Sequence, residues 1–161
     1  MSTQSLAHSL RRLLDTLTKS ANLLQSPFAL GARVYVSWVF LHSGLLKIGN
    51  WEQTIWLFEN EYRVPVLSPL WGAITGTAGE LSFSVLLILG LGGRLPALGL
   101  FAVNAMAVIS YWHELSIDSG IAGLRQHELW GFIIAMLFFY GSGNWTLDKL
   151  IDLWRTRKKT A

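Results

Sequence analysis

The chain has no cysteine, which excludes disulfides, thiol redox chemistry and thiolate-ligated clusters together. Any redox role must then be carried by a bound cofactor. Charge is scarce as well: 14% of the 161 residues, against roughly 25% in a soluble domain, too little to coat a surface facing water on all sides. Also lacking are a nucleophilic triad, a phosphate-binding loop, an H-E-x-x-H pair, an internal repeat and a low-complexity tract. What is present is hydrophobic, 52% of residues with 8 tryptophans and a mean hydropathy of +0.39, and Trp collects at membrane interfaces. Disordered, nucleic-acid-binding and disulfide-stapled proteins are thereby excluded. The net charge of +3 comes mainly from basic residues at the two ends.

Crossing about 30 Å of hydrocarbon takes roughly 20 apolar residues, and four stretches qualify: 27–48, 70–91, 95–112 and 128–145. The expected fold is all-α, an integral membrane four-helix bundle with amphipathic interfacial helices at the N-terminus and in the first outer loop. Residues 1–26 form a cytoplasmic amphipathic segment, 27–148 the four-span domain and 149–161 a basic tail. In the first of these Leu6, Leu10, Leu13, Leu14, Leu17 and Leu24 recur at helical spacing, apart from Arg11, Arg12, Asp15 and Lys19, as in a helix lying on the membrane or packed on the bundle. A polar stretch follows Arg11 and Arg12 where a signal peptide needs an apolar run, so Met1 is expected to stay on the chain. Arg11, Arg12 and Lys19 precede the first span, and Lys149, Arg155, Arg157, Lys158 and Lys159 follow the fourth, placing both termini in the cytoplasm by the positive-inside rule. Trp51, Ile55, Phe58 and Tyr62 repeat at helical spacing before Pro65, suggesting a short helix that caps the bundle.

Ionisable groups at bilayer depth are costly and usually face the bundle interior with a partner. Glu80 lies near the middle of the second span, on a face shared with Gly72, Gly76 and Ser84 along which another helix can approach closely. His42, nine residues past Arg33, reaches a comparable depth, and Lys47 lies a turn and a half further out. His113 and Glu114 end the third span where His127 and Glu128 begin the fourth, so titratable groups converge on the outer half of the bundle. Plainer readings stand beside these. Lys47, Glu114 and Glu128 suit interfacial charges, His113 and His127 suit ordinary hydrogen bonding, Arg33 suits a snorkelling cytoplasmic anchor, and Asn104 suits interhelical glue.

An imidazole that accepts a proton beside a carboxylate that relays it suits quinone chemistry in an apolar cleft. The same groups suit a transition metal, with imidazole and carboxylate favouring zinc, copper(II) or iron. On the first reading His42 and Glu80 are catalytic, and His42, Lys47, Glu80, His127 and Glu128 hold the quinone. On the second, His42, His113 and His127 are the metal ligands.

Arg33 followed by Phe40, His42, Ser43, Gly44 and Lys47 resembles the R-x(n)-F-x-H-x-G-x-x-K signature of the DoxX family of small bacterial membrane proteins. Gly79-Glu80-Leu81 and Leu89-Gly90-Leu91 ahead of Arg94 are similar to its second-span pattern, and the stretch from Gly143 to Asp148 to its G-x-x-S-L-D ending, with Thr146 in place of Ser. The resemblance runs from about Phe28 to Asp148 and implies a four-helix bundle in the inner membrane. One branch, DoxD, is the small subunit of a thiosulfate:quinone oxidoreductase, and other relatives are linked to oxidative stress and metal handling. The resemblance therefore implies a membrane component of a quinone-linked redox or oxidative-stress system working with a protein partner. The rival expectation is a non-enzymatic protein that binds or passes copper, zinc or iron, or anchors a partner. Self-association is open on either reading, and no nucleic-acid partner is expected.

Overall fold

The computed structural model describes the backbone of residues 3–160 and the side chains of residue 8 and residues 10–159. Met1 and the Leu6 side chain, where the N-terminal pattern begins, lie outside the described residues. Among those residues the fold is all-helical, with no strand: α1 (Thr3–Gly49), α2 (Trp51–Asn60), α3 (Pro69–Leu89), α4 (Leu95–Ser110), α5 (Trp112–Leu115), α6 (Ile121–Tyr140) and α7 (Leu147–Thr160). Four of them close a ring of contacts, α1 on α3, α3 on α4, α4 on α6 and α6 back on α1. Their shared core is Ala29, Val36, Phe40, Leu87, Ala97, Leu100, Ile134 and Leu137.

No break separates the N-terminal segment from the first span. Pro27 lies inside α1, where its missing N–H forfeits one helical hydrogen bond without ending the helix. At 1.5 Å per residue its 47 residues run about 70 Å, more than twice the hydrocarbon thickness, so the leading part projects past the ring. Leu10, Leu13, Leu14, Leu17 and Leu24 are exposed there.

Helix ends follow local chemistry. The Asn50 side chain accepts from the Gln53 backbone N–H at 3.2 Å and starts α2, whose inward face is Thr54 and Phe58. Pro69 occupies the first position of α3, where its absent N–H costs nothing. The end of α3 is a Schellman turn: Gly90 is left-handed at φ 65°, and Leu91 N–H donates to the Leu86 carbonyl at 2.9 Å. The expected third span stops at Ser110, because Tyr111 leaves helical geometry before the single turn of α5. The expected fourth span is shifted: α6 starts at Ile121, its first turns tolerating Arg125 and Glu128 because they pair with each other at 2.8 Å, and it stops at Gly141, whose φ of 88° no helix accepts.

Large apolar side chains such as Trp38, Leu46, Leu98, Phe132 and Phe139 point outward, while Arg33, Ser37, Thr77, Glu80, Ser84 and Asn104 are buried. This inverts the soluble pattern and suits an apolar solvent. Residues Leu10–Gly49 and Pro69–Leu89 contain stretches long and apolar enough to cross a membrane.

Candidate functional site

Two clusters of buried polar groups stand out in the ring. At one end Arg33 is wholly buried, donating from Nη2 to the Trp145 carbonyl at 2.6 Å and from Nη1 to the Leu87 carbonyl at 3.5 Å. The snorkelling expected of it does not occur. Its position on the face of Val36 and Phe40 turns it into the core, towards the carbonyl-rich end of α3, where a cation is favoured. Nearby, Asp148 Oδ2 accepts from the Gly93 N–H at 2.8 Å, and Asp148 N–H donates to the Gly90 carbonyl at 3.3 Å, so the start of α7 is tied to the α3–α4 turn.

The second cluster lines a cavity of about 590 Å³ walled by α1, α2, α3, α4 and α6. On one side the Lys47 ammonium donates to Glu80 Oε1 at 2.5 Å, to Oε2 at 2.7 Å and to Ser43 Oγ at 3.0 Å, while Ser43 donates to Glu80 Oε1 at 3.3 Å. Ser43 and Lys47 share one helical face, and Gly44 between them lets α3 approach, since a Cβ there would meet Leu81 Cγ at 2.8 Å. Glu80 is thus held at the α1–α3 seam by a charge-assisted pair. Gly72 and Gly76, on the same side of α3, accommodate the Phe58 ring of α2.

On another side stands His127. Asn104 Nδ2 donates to the His127 carbonyl at 3.1 Å, and Asn104 Oδ1 meets His127 Nδ1 at 2.8 Å, so one amide ties α4 to α6 twice. The His127 ring lies edge-on to Trp130 with centroids 5.0 Å apart. Tyr62 and Tyr111 also line the cavity, packed edge-to-face at 5.2 Å, and the Tyr111 hydroxyl donates to Glu61 Oε2 at 3.4 Å. Burial, aided by Tyr111, Glu61 and Glu80, pushes the Tyr62 phenol above its ordinary value. Phe40, Phe83, Val103, Met106 and Trp130 make the remaining wall apolar.

Glu80, Lys47 and His127 therefore share one cavity, whereas His42 and Glu128 do not. His42 is exposed on the opposite side of α1 from Phe40 and Gly44, its ring stacked on Trp38 at 6.3 Å. At 100° per residue, a helix that turns Phe40, Ser43 and Lys47 inward turns position 42 outward. Glu128 is likewise exposed and engaged by Arg125. His113 is half-buried against the Tyr111 ring at 5.6 Å. The expected ligand set of His42, His113 and His127 does not converge, and among the described residues no three His, Cys, Asp or Glu side chains are grouped to hold a metal ion.

Sequence reasoning did not place Tyr62 and Tyr111 in the site, because both lie just past helix ends and meet only through the fold. Asn104 was legible as a polar residue in an apolar span, but its partner was not.

Searches of curated proteins and of solved structures returned no match. A family model described as DoxX matches residues 28–113, a stretch that carries Arg33, Ser43, Lys47, Glu80 and Asn104. That stretch is more than half of the 161 residues, and the chain belongs to the DoxX family.

Proposed function

We propose that this chain is a four-span protein of the bacterial inner membrane, both termini cytoplasmic, that serves as the membrane component of a quinone-linked redox or oxidative-stress system. One observation carries the reading: a cavity of about 590 Å³ with mainly apolar walls and a few fixed polar groups, the construction and size range of a small-molecule site. Its residues fit a quinone headgroup. Phe40, Phe83 and Trp130 offer ring faces and edges, while the Glu80–Lys47 pair and His127 offer the polar anchors. A quinone couple supplies two-electron, two-proton chemistry when bound. The chain's own contribution is to orient the headgroup, exclude water and exchange protons at Glu80 and His127. A protein partner supplies or withdraws the electrons, since no redox group is built from these side chains. His42 is not part of this site.

The test uses protein purified in mild detergent without added ligand, extracted for lipid quinones by mass spectrometry and assayed in parallel for metals. Near-stoichiometric quinone in the parent, lost in Ala107→Phe, which fills the cavity, supports the assignment. Stoichiometric metal without quinone overturns it.

A further inference from the structure

The hydrogen-bond inventory of the cavity goes further than its shape, because the polar anchors on its two sides, Glu80 and His127, are both left as acceptors, with the Trp130 indole N–H a free donor beside them. Lys47 is the obvious donor, yet an ammonium carries three protons and all three are committed, two to the Glu80 oxygens and one to Ser43 Oγ. The Ser43 hydroxyl is spent on Glu80, that of Thr75 on the Trp71 carbonyl at 2.7 Å, and that of Tyr111 on Glu61. Glu80, ionised in its pair with Lys47, can only accept; Oε1 already takes Lys47 and Ser43, and Oε2, which takes Lys47 alone, keeps a lone pair free.

His127 is an acceptor for a reason that lies outside the cavity. Only the Nδ2 end of Asn104 can donate to the His127 carbonyl, which sets the amide so that Oδ1 faces Nδ1. An amide oxygen cannot donate, so Nδ1 of His127 carries the proton and, in the neutral ring, Nε2 keeps its lone pair. The remaining hydroxyls on the lining, Tyr62 and Ser110, serve in either sense, and the Trp130 indole N–H donates alike to a carbonyl oxygen or to the oxygen of a hydroxyl.

The geometry points to a cavity selective for a ligand that donates hydrogen bonds from two hydroxyls on an aromatic ring, that is, for the reduced, dihydroxy form of the couple over the dione. A dione presents two acceptors to Glu80 and to His127 Nε2 and leaves both unmatched, whereas a quinol satisfies both. The inference rests on the quinone-class reading above and adds the redox form that the site prefers. Each matched donor is worth a few-fold to about tenfold in affinity, so the dihydroxy form should bind tighter by about tenfold or more. By linkage this raises the midpoint potential of the bound two-electron couple by about 30 mV per tenfold.

The experiment compares three probes under anaerobic conditions on the whole protein in detergent, by titration calorimetry: a decyl-tailed benzoquinone, its quinol, and the dimethyl ether of that quinol, which keeps the ring and tail but has no donor. Tighter binding of the quinol than of both others is the expected result. Equal or tighter binding of the dione, or an ether that binds as well as the quinol, overturns the selectivity and leaves the quinone-class reading standing. Binding of none of the three overturns both. In Glu80→Gln the carboxamide brings a donor and releases Lys47, so the quinol-to-dione preference should fall at least about threefold; an unchanged preference removes Glu80 from the argument. The comparison on the parent protein stands whether or not that variant folds.

Discussion

Breaking the Glu80–Lys47 pair from its two sides should have unequal consequences, and the inequality follows from where each side chain sits. In Lys47→Met the Glu80 carboxylate, only 8% exposed, keeps Ser43 alone as a donor. At the separations of 2.5 and 2.7 Å the attraction is about 6 kcal/mol with an effective dielectric near 20, opposed by several kcal/mol of desolvation for each ion. Removing one partner leaves the desolvation of the other uncompensated, at a cost of about 3–5 kcal/mol. In Glu80→Gln the stranded group is Lys47, 19% exposed and two residues from the end of α1. Its long stem can carry the ammonium to water, so the loss should be about half as large. The double variant Lys47→Met/Glu80→Gln leaves no unpaired charge and should be less destabilised than the sum of the single changes by about 2–3 kcal/mol. Reversible unfolding in detergent, followed by Trp fluorescence, measures all four proteins. Additivity within about 0.5 kcal/mol, or a Glu80→Gln loss larger than that of Lys47→Met, would refute the reasoning.

The tautomer assigned to His127 is open to direct observation: ¹⁵N NMR of labelled protein should show a protonated Nδ1 in the neutral ring, with Asn104→Leu giving a mixture and losing about 1–3 kcal/mol; a protonated Nε2 in the parent sinks the assignment. Arg33→Met should free the Trp145 carbonyl and speed hydrogen exchange over residues 141–146 by about tenfold, equivalent to about 1.4 kcal/mol, with unchanged exchange counting against the staple role. Gly90→Ala should cost more than about 2 kcal/mol, since it combines a left-handed φ with a Cβ that runs into the Arg33 guanidinium and Thr146; a loss under 1 kcal/mol would be the contrary result. Tyr62, with its folded value raised above 10, contributes stability that is full below its unfolded value and is lost as pH climbs through the folded one. Tyr62→Phe should therefore flatten the alkaline arm of the stability profile and leave neutral pH little changed, and an unaltered alkaline arm would contradict this.

Much of this molecule follows from the chain alone. Too few charges for a water-facing surface, together with apolar runs of about 20 residues, dictate helices whose outer faces are apolar, because in hydrocarbon a backbone must satisfy itself. The same logic marked Glu80 as a buried group in need of a partner, and the helical repeat around Phe58 marked α2. Motif order by itself pointed to the DoxX family. Tertiary structure decided which polar residues meet. His42 and Lys47 are five positions apart, and sequence distance along α1 says nothing of which faces α3; packing of Phe40 and Gly44 against the core turned Lys47 to Glu80 and sent His42 outward. Arg33 became a staple because the last turn of α3, at Leu87, and the loop before α7, at Trp145, deliver carbonyls to one point. The meeting of Tyr62 with Tyr111 likewise depends on neighbours distant in sequence. Helical periodicity carries the local pattern of burial, but the polarity of the cavity, with Glu80 and His127 left as acceptors on its two sides, exists only once α1, α3, α4 and α6 are in contact.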